Sequence, residues 1–90
     1  MTAETSLPNR LSSDRETTHG DFTTQALTAQ ALKYIMLHTP NWHDMPAYMR
    51  EALELICTKL ARSGSGDWKE RDHYDDCIGY FTLILRGLEK

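Results

Sequence analysis

From Asp21 onward the apolar residues of this chain recur almost entirely in steps of three and four. That spacing leaves room for helices and for little else. Leu27, Ala31, Tyr34 and Ile35 form one such set, and Met49, Ala52, Leu53, Ile56 and Leu60 form a second. Tyr74, Cys77, Ile78, Phe81, Ile84, Leu85 and Leu88 form a third and broader one. At 3.6 residues per turn, each set falls on one side of a helix. No stretch alternates with a period of two, so the spacing predicts an all-α chain of three main helices and no strand.

The breaks between the sets carry recognisable stop and start signals. Asp21 precedes the first set and is expected to cap a helix from Phe22 to about Leu37, its carboxylate accepting from first-turn N–H groups. Pro40 stops that helix, and HTPNWH is the connection. The second helix is expected from Asp44 or the next residue, with Pro46 in its first turn, and the run SGSG (Ser63 to Gly66) ends it. Asp67 then opens the third helix, with Glu70 three residues on as the reciprocal member of a capping pair. Short loops favour antiparallel neighbours, so the second and third helices should form a hairpin with the first laid alongside.

Residues Met1 to Gly20 are rich in Ser, Thr and charge, and their few apolar residues cannot offset the entropy of ordering. We therefore divide the chain into a flexible polar tail, 1–20, and one helical domain, 21–90. A domain of that size is only marginally served by one core. A sheet of three amphipathic helices also leaves a face open. Both points lead to a homo-oligomer, with the bundle completed by dimerisation or higher assembly.

The formal net charge of −3, with Lys and Arg scattered singly, argues against a nucleic-acid binder, whose affinity comes from clustered phosphate contacts. There is no apolar run of membrane-spanning length and no signal-peptide core, so the expected location is cytoplasmic. Cys57 and Cys77 fall at apolar helix positions and read as small buried hydrophobes kept reduced. The histidines His19, His38, His43 and His73 show no zinc-site spacing.

The residues with chemical potential are acidic. Glu51 and Glu54 lie three apart on the second helix, with Thr58 continuing their line. On the third helix Asp72, Asp75, Asp76 and Gly79 share a face. An antiparallel hairpin can bring Glu51 and Glu54 opposite Asp72 and Asp76. Carboxylates so gathered repel one another unless a cation joins them, and Mg²⁺ is the hard ion that takes oxygen ligands while keeping waters to exchange for phosphates. Acidic residues near a helix start also offset the macrodipole, which accounts for some of them without any metal. Gly79 inside a helix costs about 1 kcal/mol relative to Ala and so marks the approach of another helix or a ligand. Lys33 and Lys59 are placed to supply positive charge to a phosphate, or to be simply solvated. Trp42 and Trp68 flank the second helix, where tryptophans more often close a core than stack on a base.

The segments HGDF (His19 to Phe22), REALELICTKLAR (Arg50 to Arg62) and DHYDDCIGYFTLI (Asp72 to Ile84) resemble an uncharacterised family of small phage and prophage proteins. More distantly they are similar to the all-α nucleoside triphosphate pyrophosphohydrolases of the MazG-like group. That resemblance implies a phage or prophage accessory protein in a bacterial host, carrying a scaffold that holds Mg²⁺ against a nucleotide triphosphate. It implies Glu51, Glu54 and Asp76 as metal ligands, Asp72 as a further ligand or water-orienting group, and Lys59 or Lys33 against the phosphates. The chain departs from the enzyme pattern at Arg50, which stands at its first acidic position, and at His73, which stands where a Glu belongs. The activity implied, if any, is release of pyrophosphate. The alternative is a non-enzymatic phage protein that binds and inhibits a host defence or metabolic protein.

Overall fold

The computed structural model describes residues 20–90, and the expectation of a flexible tail falls almost wholly outside them. Among the described residues there are three α-helices: α1 (Phe22–Leu37), α2 (Ala47–Ser65) and α3 (Arg71–Leu88), with a 3₁₀ turn at Trp42–Asp44. No strand occurs among them, and no helix is long and apolar enough to cross a membrane.

The caps show why the helices begin where they do. Asp21 caps α1 as its position in the sequence suggests, its carboxylate accepting from the Thr24 backbone N–H at 3.1 Å and from the Thr24 hydroxyl at 3.2 Å. The second helix begins later than expected. Met45 is extended (φ −73°, ψ 142°) because Pro46 disfavours helical geometry in the residue before it. Pro46 therefore sits at the N-cap, its carbonyl accepting from Met49 at 3.0 Å and Arg50 at 3.1 Å. At the other end α2 runs through Ser63, Gly64 and Ser65, and only Gly66 of SGSG lies beyond it.

The third helix also starts one turn later than Asp67. Asp67 instead closes a turn, its carboxylate accepting from the Lys69 N–H at 2.9 Å and its carbonyl from the Glu70 N–H at 3.0 Å. Glu70 is the N-cap of α3, its carboxylate accepting from the Asp72 N–H at 3.5 Å. The capping pair of the sequence is thus split between two successive turns, because the Asp67 side chain is taken up locally.

Two close approaches fix the directions. A Cβ built on Gly20 would overlap the Ser65 backbone, so the start of α1 lies against the end of α2. A Cβ on Gly87 would overlap the Tyr48 ring, so the end of α3 lies against the start of α2. Both neighbours of α2 are therefore antiparallel to it. It packs extensively against each of them, so the three helices form a single layer with α2 in the middle.

The burial pattern follows from that layer. On α2, Ala52 and Ile56 are buried on the side of α3, and Cys57 and Ala61 on the side of α1. On α3 the row facing α2 is His73, Cys77 and Ile84, all buried, with Tyr80 half-buried between them. The broad apolar face expected of α3 is thus two rows, and the second, Tyr74, Ile78, Phe81, Leu85 and Leu88, is exposed. On α1 the buried residues are Gln25 and Ala29, whereas Leu27 is 70% and Ile35 62% exposed, with Ala31 and Tyr34 exposed beside them. Small side chains face α2 because a middle helix must admit neighbours on both flanks. Among the described residues no helix packs over the larger exposed residues of α1 and α3. Cys57 and Cys77 are buried and unbonded, and burial pushes both thiols above their ordinary pKa.

The two glycines with opposite surroundings make a direct test. Gly20 has φ +87° and abuts the backbone of Ser65, so Gly20→Ala should destabilise by about 1–3 kcal/mol in thermal unfolding. Gly79 is helical with nothing within 4 Å of a built Cβ, so Gly79→Ala should stabilise by about 1 kcal/mol. Loss of stability at Gly79 would contradict the open surroundings described here.

Candidate functional site

The acidic residues of α2 and α3 are carried on the same side of the layer. Glu51 shares a cleft of about 760 Å³ with Tyr48, Leu55, Leu83 and Arg86, which ties that side of α2 to the Leu83 side of α3. Glu54 shares a cleft of about 510 Å³ with Gln30, Lys33, Tyr34 and Leu37 of α1. By helical spacing, Asp72, Asp76, Gly79 and Arg86 continue along the Leu83 side of α3, at steps of four, three and seven. The carboxylates of α2 and α3 thus share one face of the layer, interleaved with Tyr48, Leu55 and Leu83.

Within that face the expected residues separate into two groups. Glu51 and Glu54 come together in a cleft of about 230 Å³ with Trp42, Ala47 and Arg50. Trp42 is only 3% exposed, so it forms a wall of the core rather than a free stacking surface. Trp68 is exposed, with the Lys69 ammonium 5.3 Å from its ring centroid. Asp76 and Gly79 lie in a different cleft, of about 460 Å³, with Asp75, Thr82 and Arg86. Asp72 is exposed one turn earlier. Among the described residues no three His, Cys, Asp or Glu side chains are gathered closely enough to hold a metal ion.

Gly79 requires a correction to the sequence reading. No helix approaches it, and the close helix contact is made by Gly87 instead. Sequence position could not distinguish them, because only the antiparallel register places Tyr48 opposite Gly87.

Lys59 has a definite partner. Its ammonium lies 2.7 Å from the Asp76 carboxylate, and its stem is largely covered. The hydrogen bond and charge of Lys59 hold the Asp76 carboxyl below its ordinary pKa. Arg71 pairs similarly with Asp75 at 3.0 Å, one turn along α3. Lys33, by contrast, lies near both Glu54 and Cys57, and its charge lowers the Cys57 pKa against the larger effect of burial.

Sequence reasoning took Arg50 only as a departure from the enzyme pattern and did not weigh Arg86. The Nε atoms of Arg50 and Arg62 are both buried without a hydrogen-bond partner, and of the two Arg50 lines the Glu51–Glu54 cleft. Buried donors are nearly always satisfied, so an orphaned guanidinium nitrogen beside a cleft calls for an explanation such as a water or an anion. The signal was present: Arg50 adjoins Glu51 and precedes Glu54 by one turn. Arg86 lay on the Asp72–Asp76–Gly79 line, beyond the residues taken as acidic.

Compared with known proteins, the chain matches no family model, no curated protein and no solved structure.

The Lys59–Asp76 pair predicts a specific pH response. A carboxyl depressed in the folded state adds stability above its unfolded pKa, and that stability is lost as pH falls through the depressed value. In a carboxyl-detected NMR titration Asp76 should titrate below the ordinary aspartate range, and Lys59→Met should return it towards that range. An Asp76 titration unchanged by Lys59→Met would remove the pair as the cause.

Proposed function

We propose that the protein is a small accessory protein of phage or prophage type that binds a phosphate-bearing ligand, a nucleotide, with Mg²⁺ on the charged face of its helical layer. The observation that carries this reading is the Glu51–Glu54 cleft. It combines two carboxylates one turn apart with a guanidinium whose Nε has no hydrogen-bond partner. Mg²⁺ typically uses one or two carboxylates and completes its shell with water and substrate phosphates. Glu51 and Glu54 fit that donor requirement, and Arg50 and Lys33 supply the cations that phosphate oxygens need. Glu54 links the two clefts, because the Lys33 cleft with Gln30 and Tyr34 adjoins it through that side chain. Amide and aromatic groups there suit the non-phosphate end of a nucleotide.

The MazG-like resemblance supports the same side of the hairpin, and its departures argue for binding over turnover. Arg50 and His73 replace acids of that pattern, and Asp76 is engaged by Lys59. A pyrophosphohydrolase would require Asp76, with or without Asp72, to leave the ammonium and join the ion. The second reading, a protein that binds and inhibits a host protein, is favoured by one specific observation, the exposed apolar row on α3.

Calorimetric titration with a nucleoside triphosphate panel, with and without Mg²⁺, tests the proposal. We expect Mg²⁺-dependent binding, weakened about tenfold or more by Glu54→Gln and by Arg50→Ala at unchanged helicity. Pyrophosphate release in a parallel assay should be slow or absent. Lack of binding heat with every nucleotide would end this reading and leave the protein-binding one.

A further inference from the structure

Among the described residues no helix packs over the most regular apolar row of the sequence. Tyr74, Ile78, Phe81, Leu85 and Leu88 follow alternating steps of four and three, the spacing of a seam between two helices. All five are exposed, Ile78 and Leu88 at 64% and 62%. The row lies on the opposite side of α3 from Asp76, Gly79 and Leu83, so it belongs to the face of the layer away from the charged clefts. Leu60 of α2, turned away from Glu51 and Thr58, is exposed on that same face.

We propose that this face binds a second copy of the chain, with the two α3 rows antiparallel about a twofold axis passing near Phe81. The spacing is close to self-complementary. Tyr74 and Leu88 lie seven residues on either side of Phe81, and Ile78 and Leu85 lie three before and four after it. A twofold perpendicular to α3 therefore lays the row onto itself, as an isologous contact requires. The same axis keeps the direction from α3 to α2, so α2 stacks over α2 and the two layers meet face to face. Leu60 is then enclosed together with Ile35 of α1, which by helical spacing lies away from the cleft of Lys33, Tyr34 and Leu37.

Area and charge both suit that occupant. Seven exposed apolar side chains, the five of the α3 row with Leu60 and Ile35, line this face, against the roughly 800 Å² per partner that a stable interface buries. An ordinary monomer exposes a largest apolar patch of only about 300–600 Å². Asp72, Asp76 and Arg86 lie on the other face, and the charges beside the row are Arg71, seven residues before Ile78, and Glu89, four after Leu85. Antiparallel pairing sets Arg71 of one copy near Glu89 of the other. The preceding residues 1–19 offer only Met1, Leu7 and Leu11 as large apolar groups, too few to cover the row.

Sedimentation equilibrium of the full chain should give twice its 10.3 kDa mass. Ile78→Lys with Leu85→Lys should weaken association on the order of a thousandfold while circular dichroism stays helical. Should that double substitution unfold the chain, Phe81→Cys decides, because a residue near the axis should form an intermolecular disulfide quantitatively under mild oxidation. A wild-type chain that is monomeric at about 100 µM, a value well above ordinary interface dissociation constants, would overturn the proposal. So would a dimer unaffected by the lysines, a Phe81→Cys chain that does not cross-link, or a mass of three or more copies.

Discussion

Everything in this fold depends on α2 having two flanks. Its residues facing α1 and α3 include small ones, Ala52, Cys57 and Ala61, and Ala61 is completely covered. Small residues let two helices approach one central helix closely, but they contribute little apolar area themselves. No large side chain in the described residues is fully buried. The core is consequently two thin seams rather than one interior, and its stability is spread over contacts that are each modest. Gly20 at one seam and Gly87 at the other are extreme cases of the same need for close approach.

A layer built this way has two broad faces, and the sequence treats them oppositely. One carries Glu51, Glu54, Lys33, the Lys59–Asp76 pair and Arg86. The other carries Leu60 and the exposed row of α3. The ion pair shows how the charged face stays compatible with the fold. Lys59 lays its stem over the α2–α3 seam and puts its ammonium on Asp76, so the seam is covered and the carboxylate balanced at once. An exposed pair of this kind adds little stability. Its larger effect is on chemistry, because it withdraws Asp76 from the ligands available to a cation.

The helices and their antiparallel order were legible because apolar periodicity and short connections are local properties. Asp21 was readable as a cap for the same reason. The later starts of α2 and α3 were less so. Pro46 imposes extended geometry on Met45, and Asp67 spends its carboxylate on its own turn, so each signal operates one turn away from where it is first looked for. The burial of Gln25 and Ala29 in place of Leu27 and Ile35 was not legible at all. Periodicity shows that a helix has an apolar side but not which neighbour covers it, and among the described residues no helix covers Leu27 or Ile35. The acidic residues were found but their grouping was not, because whether Asp76 meets Glu54 or Lys59 depends on side-chain reach across the seam.

The proposed binding on one face and the proposed assembly on the other would not compete for residues, yet they would share α2. Glu51 and Glu54 lie on one side of that helix and Leu60 on the other, within nine residues of one another. Stacking a second layer over Leu60 would reduce the motion of α2 without touching the Glu51–Glu54 cleft. A ligand that requires the two carboxylates and Arg50 held in one geometry would then meet a smaller ordering cost. Linkage requires the converse to the same extent, so a ligand on the charged face would tighten association on the apolar one.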